Sequence, residues 1–163
     1  MDANTLSPAD HQAITDLLVD YCVYLDRMDL DALAALFTED CEVEYGDHPA
    51  LRSLGSAALA ASLQRMWRWS RTSHHLSNVR LSSEDPDTVE ALSYVLAWHE
   101  RADGSTATIY GQYRDRVVRA DKGWRIARRR MLMNGSDAGF SVPITPLPRQ
   151  EAPPGWTPPD IDR

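Results

Sequence analysis

Ile14, Leu17, Leu18, Tyr21, Leu25 and Met28 follow one another at three- and four-residue steps, the interval that paints one face of an α-helix. Ser7 offers a capping oxygen at the start of this stripe, Pro8 suits the first helical position, and Asp10 lies where the helix dipole favours negative charge. Asp29 predicts the cap of a second helix in which Leu30, Leu33 and Phe37 face one way. Cys41 to Tyr45 alternates as a short strand does, and Gly55-Ser56 opens a third, alanine-rich helix that runs to about Trp69.

After Arg71 the period shortens. Four extended segments are predicted near 73–84, 88–101, 105–119 and 123–134, divided by Asp85-Pro86-Asp87, Ala102-Asp103-Gly104 and Asp121-Lys122-Gly123. Such turn residues between alternating runs predict an antiparallel meander. Helices followed by strands give an α+β fold, with the helices on one face of a curved sheet. Seven of the ten prolines fall after Ser141, so 141–163 is expected to leave the sheet and wander over the surface or across a neighbouring subunit. Residues 1–140 are expected to form one domain.

Charge and composition narrow the functions. A net charge of −7 repels nucleic acid and anionic membrane. No apolar run is long enough for a membrane span and no secretory leader opens the chain, which leads us to expect a cytoplasmic protein. Cys22 and Cys41 form no CxxC pair and are expected to be buried thiols. The chain has no GxGxxG, P-loop, GxSxG or HExxH pattern, so nucleotide binding, serine hydrolysis and zinc proteolysis lack support. No cofactor or metal is expected.

The residues able to do chemistry are few. Asp26 falls at the edge of the first helix's apolar stripe, where an exposed aspartate is the plain reading. His74 and His75 are consecutive in a strand, so one of them faces the sheet's concave side. His99 shares a strand face with Val95 and Ala97, and a polar ring there needs a backbone partner or a substrate. Arg129 shares its face with Ala127, Met131 and Met133, so its guanidinium needs a carboxylate, a carbonyl or a ligand oxygen, while Arg128 and Arg130 point the other way. Tyr21 and Tyr45 are candidate phenolic donors inside an apolar site, or core packing.

The stretches AITDLLVDYCVYLDRMDLDALAALFTEDCEVEYG, RTSHHLSNVRL and GQYRDRVVRADKGWRIARRR resemble the SnoaL-like branch of the nuclear transport factor 2-like superfamily over roughly residues 8–135. That resemblance implies a cone-like barrel of strongly bent, mixed and mainly antiparallel sheet against three N-terminal helices, enclosing an apolar pocket. Within the superfamily the patterns are similar to scytalone dehydratase, bile-acid 7α-dehydratase and hexachlorocyclohexane dehydrochlorinase, eliminating enzymes that use an Asp–His dyad without a cofactor. The resemblance implies Asp26 and His74 as that dyad, since Thr72 and Asn78 frame His74 rather than His75. It also implies roles for His99, Tyr45, Arg129 and Tyr21. Leu25 stands where scytalone dehydratase has a tyrosine, which speaks against scytalone itself as substrate.

The expected function is therefore a lyase of the dehydratase type acting on an apolar, cyclic or polycyclic small molecule. His74 would take the proton, Tyr45 and Arg129 would hold the developing negative oxygen, and His99 or Tyr21 would assist the leaving group. An isomerase or cyclase uses the same groups, and a binding or scaffold subunit needs none of them. Trp67, Trp69, Met66, Met131 and Met133 are candidates to line the pocket. A homo-oligomer is expected, a trimer before a dimer.

Overall fold

The structure is a computed structural model that describes residues 6–137, 144–146, 148 and 153–155. Helix α1 (Pro8–Arg27) begins where Ser7 Oγ accepts the Asp10 N–H and ends at Met28, whose left-handed φ of 55° turns the chain. Ile14, Leu17, Leu18, Tyr21, Cys22 and Leu25 are its buried face. Helix α2 (Leu30–Ala34) is capped by Asp29 as expected, but it is one turn long and does not reach Phe37. Strand β1 (Phe37–Glu44) starts there instead.

Five more strands follow, interrupted by one helix: β2 (Arg52–Leu54), α3 (Ser56–Leu63), β3 (Arg71–Asp85), β4 (Thr88–Glu100), β5 (Thr106–Ala120) and β6 (Gly123–Ser136). The sheet order is β2-β1-β6-β5-β4-β3. Among the strands described, β1 and β6 are the pair that runs parallel, and that pairing explains why α2 is short: Phe37 faces Ile126 in the ladder and the Ile126 N–H donates to the Leu36 carbonyl at 2.9 Å. Backbone pairing with a long strand outweighs the helical preference of Ala35 and Leu36, and Phe37 and Thr38 are weaker helix formers. Helix α3 likewise ends early, passing into a 3-10 turn over Gln64–Arg68.

The sheet bends around α1. At one end Asp10 of α1 accepts a hydrogen bond from the Trp124 indole of β6, and at the other Asp26 is bonded to β3. Bulges supply the bend, one on β3 between Ser77 and Arg80, where Asn78 has a φ of 51°, and another on β5 and β6 beside Gly111. A side chain on Gly111 would stand 2.9 Å from the Leu132 carbonyl oxygen, so the strands can approach only with glycine there. The expected barrel does not close: β2 and β3 remain as edges, and the sheet is an open, curved one.

Most of the proline-rich tail lies outside the described residues. In the stretch 144–146 Pro146 is exposed, as expected of the tail, but Ile144 is not. Ile144 is buried, the Met133 N–H donates to the Thr145 carbonyl at 2.8 Å, and Pro146 bridges to Met133. An apolar side chain therefore draws this piece back onto the end of β6. Among the described residues no helix is long and apolar enough to cross a membrane.

Candidate active site

The antiparallel registers bring the candidate side chains to one place. His74 of β3 lies opposite Ala97 of β4, Thr72 opposite His99, and His99 in turn opposite Ala107 of β5. Alternation sends His74 and His99 to the concave side and His75 outward, where it bonds Ser73. The last turn of α1 covers this end of the sheet and delivers Asp26.

Asp26 is held from three sides. Its Oδ1 meets His74 Nδ1 at 2.6 Å and accepts the Thr72 hydroxyl at 2.8 Å, while Oδ2 accepts the His74 backbone N–H at 2.9 Å. Burial works against its charge, but the hydrogen bonds from His74 and Thr72 outweigh that effect and hold the carboxyl below its usual value. An ionised carboxylate accepts from Nδ1–H, which fixes the tautomer and leaves Nε2 with a lone pair. The His74 side chain is 4% exposed and that of Asp26 25%.

His74 faces a cavity of about 60 Å³ that opens to solvent. Leu25, Leu63, Ile109 and Met131 make much of its wall apolar, and Tyr21, Tyr45, Tyr113, His74, His99, Arg65 and Arg68 are its polar residues. Tyr21 and Tyr45 share a hydroxyl–hydroxyl bond of 2.5 Å. Burial raises both phenols well above their ordinary value, so they are neutral, and one of the two protons is left to point elsewhere. The His99 Nδ1 donates to the Ala107 carbonyl at 3.3 Å, and its ring stands edge-on to His74 with centroids 5.5 Å apart. Burial and then the neighbouring His74 push its pKa down to about 4, which keeps the ring neutral.

A sequence profile of the SnoaL-like domain matches residues 7–130. The chain belongs to the SnoaL-like family. Among solved structures, this SnoaL-like domain is similar to a protein of Novosphingobium aromaticivorans provisionally named a scytalone dehydratase, with 32% identity and a TM-score of 0.81 over 88% of this chain and 96% of the other. A second protein of that organism, provisionally named an aromatic ring hydroxylase, is 28% identical with a TM-score of 0.73 over 78% and 90% of the two chains. A hexachlorocyclohexane dehydrochlorinase, at 24% identity and a TM-score of 0.70 over 91% and 96%, shares the fold. Among curated proteins none matches the chain.

Arg129 occupies a different place from the one expected of it. Its guanidinium is fully buried and bonds Asp115 through two contacts of 2.7 Å, Nε to Oδ1 and Nη2 to Oδ2. It lies 4.0 Å from the Tyr21 ring centroid and 4.2 Å from that of Tyr113, behind the tyrosines rather than on the cavity wall. Desolvation opposes its charge, yet the Asp115 carboxylate holds it firmly protonated. Of the alternatives left open for this side chain, the carboxylate is the one the SnoaL-like domain uses.

Asp115 and Tyr113 are residues that sequence reasoning missed. Both sit on the β5 face shared by Ile109 and Val117, and a carboxylate alternating with apolar residues was the available signal. Trp67 is largely exposed and takes no part in the cavity, whereas Met66 and Met131 line it. Trp69 is buried against His99, with centroids 4.9 Å apart, and Met133 packs on the core. The thiols of Cys22 and Cys41 are buried and pushed up to about 12 and 11 by desolvation, which disarms them as nucleophiles. Among the described residues no group of three or more His, Cys, Asp or Glu side chains comes together as a metal-ligand set.

Proposed function

We propose that this protein is a lyase that eliminates water or another small leaving group from an apolar cyclic molecule, by general-base catalysis without a cofactor. One observation carries this reading: an imidazole bonded through Nδ1 to a carboxylate at 2.6 Å lines a largely apolar cavity. A carboxylate that fixes the imidazole tautomer leaves the other ring nitrogen able to accept a proton. The relatives named for dehydration and dehydrochlorination support the same reaction type.

In this mechanism His74 Nε2 takes a proton from a carbon next to a carbonyl or to another electron-withdrawing group. The C–H electrons form the new double bond as the leaving group departs from the neighbouring carbon. Asp26 stabilises the imidazolium that results, and the free O–H of the Tyr21–Tyr45 pair holds the oxygen on which charge develops. Arg129 acts behind that pair, positioning Tyr21 and lending it positive potential, rather than touching the substrate. His99, neutral and with its Nδ1 proton committed to Ala107, is a poor acid. The proton that His74 Nε2 has taken passes to the departing oxygen, so that water leaves and the neutral imidazole is restored.

The test is a panel of cyclic β-hydroxy ketones incubated with the protein in deuterated water and followed by mass spectrometry. Loss of water with a new alkene is expected, and His74→Ala should lower turnover about 100- to 10,000-fold while the protein stays folded. Deuterium exchange without loss of mass would replace elimination by isomerisation. Wild-type turnover in His74→Ala would end the general-base reading.

A further inference from the structure

Two guanidiniums at the mouth of the cavity have no task in the proton transfer. Arg65 and Arg68 come from the 3-10 turn Gln64–Arg68, where residues three apart project along the same side. Both line the cavity, and among the described residues no Asp or Glu does. In a chain with 24 acidic and 17 basic residues, a purely cationic lining is contrary to the overall charge. Of the described carboxylates on the neighbouring elements, Glu100 holds Arg71, and Asp26 is bound to His74 and Thr72.

The mouth is also crowded with like charge. Arg68 lies 5.4 Å from the Trp69 ring centroid and Arg101 4.5 Å from the same ring, while Arg65 lies 5.3 Å from the ring of Tyr45. Arg65 uses Nη1 to hold the carbonyl and hydroxyl of Ser62. Partial burial, then the charges of Arg65 and Arg101, depress the Arg68 pKa, and the Arg68 charge is felt as far in as His99. Arg65 and Arg68, side by side on apolar walls, repel each other less when an anion arrives to share them. A planar fork of N–H donors fits a carboxylate.

We propose that the substrate is an apolar ring compound bearing a carboxylate, which Arg68 with Arg65 holds at the mouth while the ring enters toward His74. This rests on the elimination reading only for what happens at the inner end. Calorimetric titration with naphthoate and with its uncharged isostere naphthamide tests the outer end without any turnover. The wild type is expected to bind naphthoate at least about tenfold more tightly, the size of one charge-assisted hydrogen bond. That preference should weaken with added salt, vanish in Arg65→Gln/Arg68→Gln, and survive in part in Arg68→Lys. Naphthamide should bind the wild type and the double variant alike, which shows that the apolar cavity is intact. Equal affinity for the two probes, a preference that outlives the double substitution, or no binding of naphthoate overturns the proposal. Because binding is the readout, a protein that eliminates nothing can still pass this test, and one that eliminates can fail it.

Discussion

Asp26 meets His74 at 2.6 Å and Asp115 meets Arg129 at 2.7 Å, yet the two pairs differ in what decides whether a proton can move. Asp115 and Arg129 are sealed, with side chains 0% exposed, and a guanidinium does not release its proton. Asp26 keeps a quarter of its side chain exposed, and its partner is an imidazole facing a cavity. Burial plus opposite charge is therefore not the mark of a reactive site. A titratable partner with somewhere to send its proton is. The sealed pair holds the tyrosines that the open pair would work with, since Arg129 lies against the rings of both Tyr21 and Tyr113.

The widest separation between the pairs should appear when each loses its carboxylate charge. Asp115→Asn strands a buried guanidinium and is expected to cost about 3–5 kcal/mol of stability, read from the urea midpoint at constant slope. Replacing both partners, as Asp115→Leu with Arg129→Met, should recover much of that loss, because the stranded charge rather than the missing bond is the main cost. Asp26→Asn should behave the opposite way, with a small change in stability and a collapse of turnover. If Asp115→Asn unfolds at the wild-type urea concentration, the sealed pair is not a structural clamp and the contrast fails.

His99 gives the next largest effect. Its folded pKa lies near 4, below the ordinary 6.5, because burial disfavours its charged form. The unfolded chain therefore binds a proton that the folded chain refuses, and stability rises with pH between those two values. The contribution is present above the unfolded pKa and is lost as pH falls through the window from 6.5 toward 4. A fall of that size corresponds to about 3 kcal/mol. His99→Asn should remove this slope from urea midpoints measured across the window, while leaving any slope due to Asp26 at lower pH. An unchanged slope would mean that His99 is charged in the folded state, and then it regains a claim to be the acid.

Much of the fold could be read from sequence because its causes are local, and the candidate site only as single residues on their faces. Helix α1, its Ser7 cap and its buried stripe follow from spacing, and the four long strands follow from alternation between turns. What stayed hidden depends on pairing between distant residues. The end of α2 was set by Phe37 finding Ile126, and β2 exists because β1 offers it an edge. Asp26 illustrates the limit for chemistry. On its own helix it is an aspartate at the border of a stripe, and only the Asp26–His74 contact across 48 residues separates it from an exposed one. Arg129 was correctly seen as a cation on an apolar face, but its partner lay in another strand, opposite it in the β5–β6 register.

The smallest effect probes how the open pair is tuned. Thr72 donates to Asp26 Oδ1, the same oxygen that meets His74 Nδ1. Thr72→Val keeps the shape, removes that donor, and is expected to cost about 1 kcal/mol, since the bond goes to a charged but partly exposed group. The sign with pH follows from the lowered Asp26 pKa. A carboxyl held below its unfolded value adds stability above that value and loses it as pH falls through the folded one. Without Thr72 the folded pKa moves up toward the ordinary one, so the gap between Thr72→Val and the wild type should be full at neutral pH and close in acid. Turnover should drop only severalfold, because the backbone N–H and the imidazole still hold the carboxylate. A loss as deep as that of His74→Ala would show that Thr72 sets the geometry of the dyad and does more than trim its charge.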